Sequence, residues 1–179
     1  MKAIQMVAPR KLALLDDVPT PAPREGEVLV RCQYVSLCGS NMAPYMGIGQ
    51  WGRMEYPKRP AWEGHENVGT IVESRLGGWE PGTVVLAHPL DYEGFAEIIR
   101  AKPPGLVRLP ADCDLLHLIL AQPLATVLRA MSRLGSPINR RCAVVGQGPM
   151  GLTFTTFLRH AGARQVIGND LLAWRLEWA

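Results

Sequence analysis

The chain lacks the means to fasten itself covalently. Its four cysteines, Cys32, Cys38, Cys113 and Cys142, stand far apart and form no CxxC pair. That spacing excludes a dense secreted disulfide framework and favours reduced thiols in a cytoplasmic setting. No uninterrupted apolar run approaches the roughly 20 residues of a bilayer span. Met1-Lys2-Ala3-Ile4-Gln5 shows no signal-peptide core. Charge is also nearly balanced, at a formal +3 with no dense Lys/Arg tract. This argues against nucleic acid or a membrane surface as the main partner. Internal repeats and low-complexity segments are absent too. The 179 residues suffice for one full domain, or one and a part.

Short strands and frequent turns fill the first hundred residues. Segments 2–6 and 11–15 read as strands. Residues 18–23, Val-Pro-Thr-Pro-Ala-Pro, form a stiff connector. Val28, Val30, Cys32 and Tyr34 share one face of a strand by a period of two. Strands are also expected over 68–72, 83–87, 95–99 and 106–109. Many short strands favour a barrel-like β domain. The pattern turns helical near residue 111. Segment 112–121 is helix-compatible, Pro123 can begin the next helix, and Gly135 suits its end. A strand at 142–145, a helix from Pro149 and a strand at 165–168 make a βαβ unit. Residues 171–179 read as a further helix. The domain boundary falls between residues 135 and 136.

Two motifs carry chemistry. The first is Gly146-Gln147-Gly148-Pro149-Met150-Gly151. Gly146 permits a tight turn, Gly148 lets a pyrophosphate approach, and Gly151 lets helix and strand pack closely. The helix N-terminal amides then face the phosphates. Asp170, 19 residues past Gly151, is placed to hold the adenosine ribose hydroxyls. Gly146, Gly148, Pro149, Met150, Gly151, Asp170 and Arg175 are the candidate dinucleotide-binding residues. An acid at 170 favours NAD over NADP, although Arg175 would also suit a phosphate.

The second motif pairs Cys38-Gly39-Ser40-Asn41 with Gly64-His65-Glu66. A thiolate, an imidazole and a carboxylate on two loops suit a catalytic metal with one open position. Each alone has a plainer reading: a small buried thiol, a core histidine, a surface acid. His160 falls late in a helix, where a cation suits the dipole, and His88 and His117 have no evident partner.

Together these residues resemble the zinc-type medium-chain dehydrogenase/reductase family. The likeness runs through Val28-Leu29-Val30-Arg31, Cys38-Gly39-Ser40, Gly64-His65-Glu66, Pro81-Gly82-Thr83-Val84-Val85, Pro123-Leu124-Ala125 and the segment 146–170. It implies a mixed α and β fold: a GroES-like β-barrel catalytic domain over residues 1–135, then the first βαβ unit of an incomplete Rossmann domain over 136–179. It implies Cys38 and His65 as zinc ligands, Glu66 as a ligand or close neighbour, and Ser40 as the hydroxyl that relays the substrate proton. Gln122 falls where polyol-type relatives often carry a glutamate near or on the zinc, so its amide oxygen is a further candidate ligand. Asn41 falls where many carry an aspartate that buttresses the histidine. Both changes replace a carboxylate by an amide. The expectation is a less negative site, whose zinc affinity rises in Asn41→Asp or Gln122→Glu. The four-cysteine lobe of some relatives is missing, so one catalytic zinc and no structural zinc is expected.

The implied activity is oxidation of an alcohol to a carbonyl, linked to NAD, on a small-molecule substrate. The intact enzyme would be a homo-oligomer. Only two Rossmann strands are present, so the 179-residue chain is expected to be inactive alone and to hold dinucleotide weakly. Strand 142–145 should expose an unpaired edge and an apolar face. Tyr45, Trp51 and Trp62 flank the ligand loops and are candidate pocket walls. A zinc-free quinone or enoyl reductase, or a non-catalytic GroES-like binding module, are the competing readings.

Overall fold

A computed structural model describes the backbone of residues 1–179 and every side chain except those of residues 51 and 52. It divides into two compact units, Met1–Ile119 and Leu120–Ala179. The helix that follows Leu120 therefore falls in the second unit, whereas the sequence reading drew its boundary after residue 135.

The first unit is built on a five-stranded antiparallel sheet in the order β6-β3-β4-β5-β7, with a separate β1-β2 hairpin. The strands are β1 Ala3–Ala8, β2 Lys11–Leu15, β3 Val28–Val35, β4 Asn67–Ser74, β5 Val84–Ala87, β6 Ile98–Ala101 and β7 Leu106–Arg108. The core follows the alternation read from the sequence. Val28, Val30, Ile71, Val85, Ile99 and Ala101 point to one interior, each almost wholly buried. Taking such side chains out of water contributes roughly 1.5–3 kcal/mol apiece for the larger ones. At the centre, β3 and β4 run so close that a Cβ on Gly69 would stand 2.1 Å from the Arg31 carbonyl oxygen. Glycine is required there by the approach of two backbones.

The sixth strand begins three residues later than its apolar pattern suggests. Residues 95–97 pair elsewhere: the Ile4 N–H donates to Phe95 O at 2.9 Å and the Glu97 N–H to Lys2 O at 3.1 Å. That pairing stitches the amino-terminal hairpin onto the sheet.

Cys32, on β3, accepts a hydrogen bond from Asn67 Nδ2 at 3.4 Å. Burial pushes its thiol up to about 11, and the Asn67 bond offsets only part of that rise. At pH 8 its thiolate fraction is then about one in a thousand. Iodoacetamide at pH 8 is therefore expected to modify exposed Cys113 and spare Cys32 until the protein unfolds. Peptide mass spectrometry of native and denatured samples checks this.

Helical segments are shorter than their sequence pattern. Residues 112–121 yield one turn, α2 at Leu115–Leu118, which Asp114 caps by accepting from the Leu116 N–H. Its predecessor α1 is Met42–Met46. In the second unit α3 spans Ala121–Leu134, with Pro123 in its first turn and Gly135 after it at φ 72°. Taken as one segment, Leu115–Leu134 has a mean hydropathy of 1.4 and is, by length and composition alone, long and apolar enough to cross a bilayer. Reading run by run missed this, because His117, Arg129 and Arg133 break up the apolar residues.

The rest of the second unit is a parallel pair, β8 Arg141–Val145 and β9 Gln165–Asn169, joined through α4 Pro149–His160. This is the expected βαβ unit. Among the described residues β8 pairs only with β9, and Val145 is 86% exposed. The expected terminal helix is a single turn, α5 Ala173–Leu176. Leu171 and Trp178 stay exposed there, so nothing buries the face that would hold a longer helix together.

Candidate metal centre

Cys38 opens a tight turn over Gly39–Asn41 that leads into α1. Asn41 holds this turn from inside. Its side chain is buried, and its Oδ1 accepts the Cys38 N–H at 2.8 Å. Its Nδ2 donates to the Glu63 carbonyl at 2.8 Å and reaches Glu63 Oε1 at 3.4 Å. One amide therefore staples the cysteine loop to the loop that carries His65. His65 and Glu66 lie just before β4. Gly64 is packed against Gly94 so closely that a Cβ on it would stand 2.6 Å from the Gly94 carbonyl carbon.

The Cys38 sulfur, a His65 ring nitrogen and a Glu66 carboxylate oxygen all lie within 4.8 Å of one another. Ligands on one tetrahedral zinc are roughly 3.3–3.8 Å apart, so small side-chain rotations close the set around a single ion. The surroundings fit this use. His65 Nδ1 faces the Glu63 carbonyl at 3.3 Å, which fixes that nitrogen as the donor and leaves Nε2 free to ligate. Ser40 Oγ stands 3.4 Å from that Nε2. The buried Glu66 carboxylate accepts from the Ser36 hydroxyl. The set S, N, O is one that zinc accepts.

Asn41 differs from its expected role. It does not receive a bond from His65, because its oxygen is taken by Cys38 and its nitrogen by Glu63. His65 Nδ1 is met instead by the backbone carbonyl of Glu63, a residue no motif marked. Burial raises the Glu63 carboxyl above its usual range, while His65 and Asn41 pull the other way. Gln122 stands in the first turn of α3, in the second unit, half-buried.

Two further side chains surround His65. The His88 ring stacks on it, with centroids 6.3 Å apart and planes at 29°. Tyr92 meets both histidines edge-on, at 6.3 Å from His65 and 5.2 Å from His88. Burial lowers the pKa of His88, which keeps it neutral. Sequence reading left His88 without a partner. The β4–β5 register, with Asn67 opposite Ala87, is what sets His88 beside the ligand loop. Tyr45 and Trp62 line an apolar cavity of 330 Å³ with Leu37, Asn41, Met42 and Phe95, beside the Cys38 turn. Trp51 lies outside the described side chains.

In the second unit the glycine turn has the geometry its motif implies. Gly146 sits at φ 92°, and a Cβ on Gly151 would stand 1.8 Å from the Gly146 carbonyl oxygen. Pro149 occupies the start of α4 and Met150 is exposed. Gln147, in an unspecified slot of the motif, is completely buried. It donates to Val144 O at 3.0 Å and accepts from Thr155 Oγ at 3.0 Å, plugging the turn from beneath. Asp170 accepts from the Gln147 N–H at 2.7 Å and the Leu172 N–H at 2.9 Å, with Arg175 at 3.5 Å. These bonds, the Leu172 amide first, hold its carboxyl below the usual range. The sequence made Asp170 a ribose ligand only. The structure shows that it also ties the two loops together.

A carboxyl with a depressed folded value contributes stability above its unfolded value and loses it as pH falls through the folded one. Acidification below about pH 4 is thus expected to release the Gln147 and Leu172 amides. Asp170→Ala should release them at neutral pH, seen as faster hydrogen exchange at those two positions.

The alcohol dehydrogenase GroES-like domain family matches residues 24–110. Sheep (Ovis aries) sorbitol dehydrogenase is 29% identical over 92% of this chain and 54% of its own length. Bacillus subtilis L-threonine 3-dehydrogenase is 28% identical over 93% of this chain and 55% of its own. The crystal structure of the alcohol dehydrogenase from Aeropyrum pernix superposes with a TM-score of 0.80 at 27% identity, covering 99% of this chain and 61% of that one.

Residues 24–110 are an alcohol dehydrogenase GroES-like domain.

The chain spans a little over half the length of the curated relatives it matches. The GroES-like domain supplies Cys38, His65 and Glu66.

Proposed function

We propose that this chain carries the metal site and the dinucleotide turn of a zinc-dependent, NAD-linked oxidoreductase that converts an alcohol or polyol to its carbonyl. The observation that carries the reading is the convergence of Cys38, His65 and Glu66 donor atoms within 4.8 Å, with the Ser40 hydroxyl beside His65 Nε2. The three donors would hold zinc, which as a Lewis acid makes a bound hydroxyl acidic. Ser40, exposed and next to the ligand imidazole, accepts the alcohol proton and passes it to water. Glu63 fixes the His65 tautomer through its carbonyl. Asn41 holds both loops in register, so the donors need little reorganisation.

The glycine turn receives the pyrophosphate on the amides at the start of α4, with Gly148 leaving the approach open. Asp170 favours NAD, because its carboxylate opposes an added phosphate and Arg175 is already paired to it. A dinucleotide held by Gly146, Gly148, Gly151 and Asp170 would supply the hydride acceptor.

The test is zinc per chain by elemental mass spectrometry on protein purified without chelator, beside Cys38→Ser. About one zinc, lost in the variant, is expected. No zinc after add-back would sink the zinc reading and favour a metal-free reductase or a binding module.

A further inference from the structure

The near balance of charge over the whole chain conceals a segregation. Between Asp114 and Asp170 the sequence holds six arginines, no lysine and no acid. The second unit gathers most of them at one end. Arg140 and Arg141 lead into β8, and Arg164 leads into β9. The Arg164 N–H donates to the Arg140 carbonyl at 2.9 Å, and Arg141 stands opposite Gln165 in the register. At the same end α4 finishes with Arg159 and His160. Only a short loop separates Arg133, in the last turn of α3, from Arg140. These five arginines are exposed, and none makes an ion pair within the described residues.

A cation in the last turn of a helix suits the dipole, and that accounts for Arg133 and Arg159. It does not account for Arg140, Arg141 and Arg164, which stand at strand starts on adjoining backbone. Like charges so placed repel, and anions held among them relieve the repulsion. The loop between Arg133 and Arg140 also carries Leu134 and Ile138, each 67% exposed. Two solvent-facing apolar side chains flanked by guanidinium groups fit an anionic lipid surface. The apolar chains enter the headgroup layer, and the guanidinium groups pair with phosphates. A nucleic acid would meet the same arginines but leave Leu134 and Ile138 in water. Residues 133–141 hold no aromatic ring on which a base could stack.

We propose that this end of the second unit docks on an anionic membrane surface, with Leu134 and Ile138 entering the headgroup layer and Arg140, Arg141 and Arg164 meeting the lipid phosphates. The glycine turn and Asp170 follow the far ends of the same two strands. Docking therefore leaves the dinucleotide turn open to water, and it does not depend on the metal reading. The arginines are scattered along the sequence, and the pairing of β8 with β9 is what assembles them.

The experiment is co-sedimentation of the 179-residue chain with lipid vesicles. One vesicle is phosphatidylcholine alone, and the other contains about a third phosphatidylserine. Binding to the second and not the first is expected, with release in high salt. An arginine near such a surface contributes about fivefold, so Arg140→Gln, Arg141→Gln and Arg164→Gln together should weaken binding about a hundredfold. Arg140→Lys, Arg141→Lys and Arg164→Lys together should keep most of it. Lys11→Gln, Arg75→Gln and Lys102→Gln remove the same charge from exposed positions of the first unit and should change it little. Leu134→Ser with Ile138→Ser should weaken binding at unchanged charge. Equal binding to both vesicles, or binding to neither, would overturn the proposal. So would equal losses from the two glutamine triples, or no loss from the serine pair. Capture of single-stranded polyuridylate in place of the vesicles would overturn it too, and assign the surface to nucleic acid.

Discussion

Gly64→Ala is expected to damage the fold and the donor cluster together. Its Cβ would stand 2.6 Å from the Gly94 carbonyl carbon and 2.7 Å from the Phe95 nitrogen. Both are backbone atoms, and neither can swing aside as a side-chain tip would. Overpacking of this kind costs roughly 1–3 kcal/mol, occasionally more. In a chain of this size that is a fall in melting temperature of about 5–10 °C. The damage also reaches the chemistry, because His65 follows directly and Cys38 is stapled to the same loop through Asn41 and Glu63. Metal content should fall along with stability. Gly77→Ala is the control, since a Cβ there meets nothing within 4 Å. Thermal melts and elemental analysis of both variants decide the matter. Equal melting temperatures would show that the Gly64–Gly94 approach relaxes without cost.

Asn41→Asp should also be destabilising, contrary to what the family pattern suggests. The new carboxylate could still accept from the Cys38 N–H. It could not donate to Glu63, and it would set a negative oxygen against the Glu63 carbonyl and carboxylate. A buried acceptor left facing another costs about 1–3 kcal/mol. The pH dependence identifies the cause. Burial already raises the Glu63 carboxyl, and a second carboxylate beside it raises it further. A carboxyl raised in the folded state binds its proton more tightly there than when unfolded. Its contribution is full below the unfolded value and is lost as pH rises through the folded one. The deficit of Asn41→Asp should therefore be largest at neutral pH and shrink towards pH 4. Melting curves of parent and variant across that range measure it. Zinc affinity is expected not to rise. A deficit that did not vary with pH would remove the carboxylate pair as its cause.

Much of the fold was legible because burial in this protein follows local periodicity. β2 could be bounded from Lys11 to Leu15 and the βαβ unit recognised from its glycines. β6 was displaced because residues 95–97 obey the same alternation while serving a different partner strand. The helix expected over 171–179 failed for the opposite reason. Its apolar residues have a helical spacing but little to pack against, and spacing alone stabilises no helix of that length.

The metal donors were legible as residue types in order. Their supports were not. Which end of the Asn41 amide faces Cys38 is a matter of three dimensions, and so is the role of Glu63, an acid in no motif. Gln147 occupies a slot where the motif accepts any residue. His88 reaches His65 only through the register of β4 against β5.

The turn that carries Tyr92 is held by guanidinium–carboxylate pairs, all four of whose partners are at least partly in contact with solvent. Its grip should therefore respond to ionic strength, since exposed pairs are screened within about 10 Å at 0.1 M salt. The donor cluster beside it answers to a different reagent, a chelator. One flank of His65 would thus be loosened by salt while the donor cluster stayed fixed, and the cluster emptied by chelation while that flank held its shape. The packing around His65 and the occupancy of the donor cluster would become separately adjustable from the buffer.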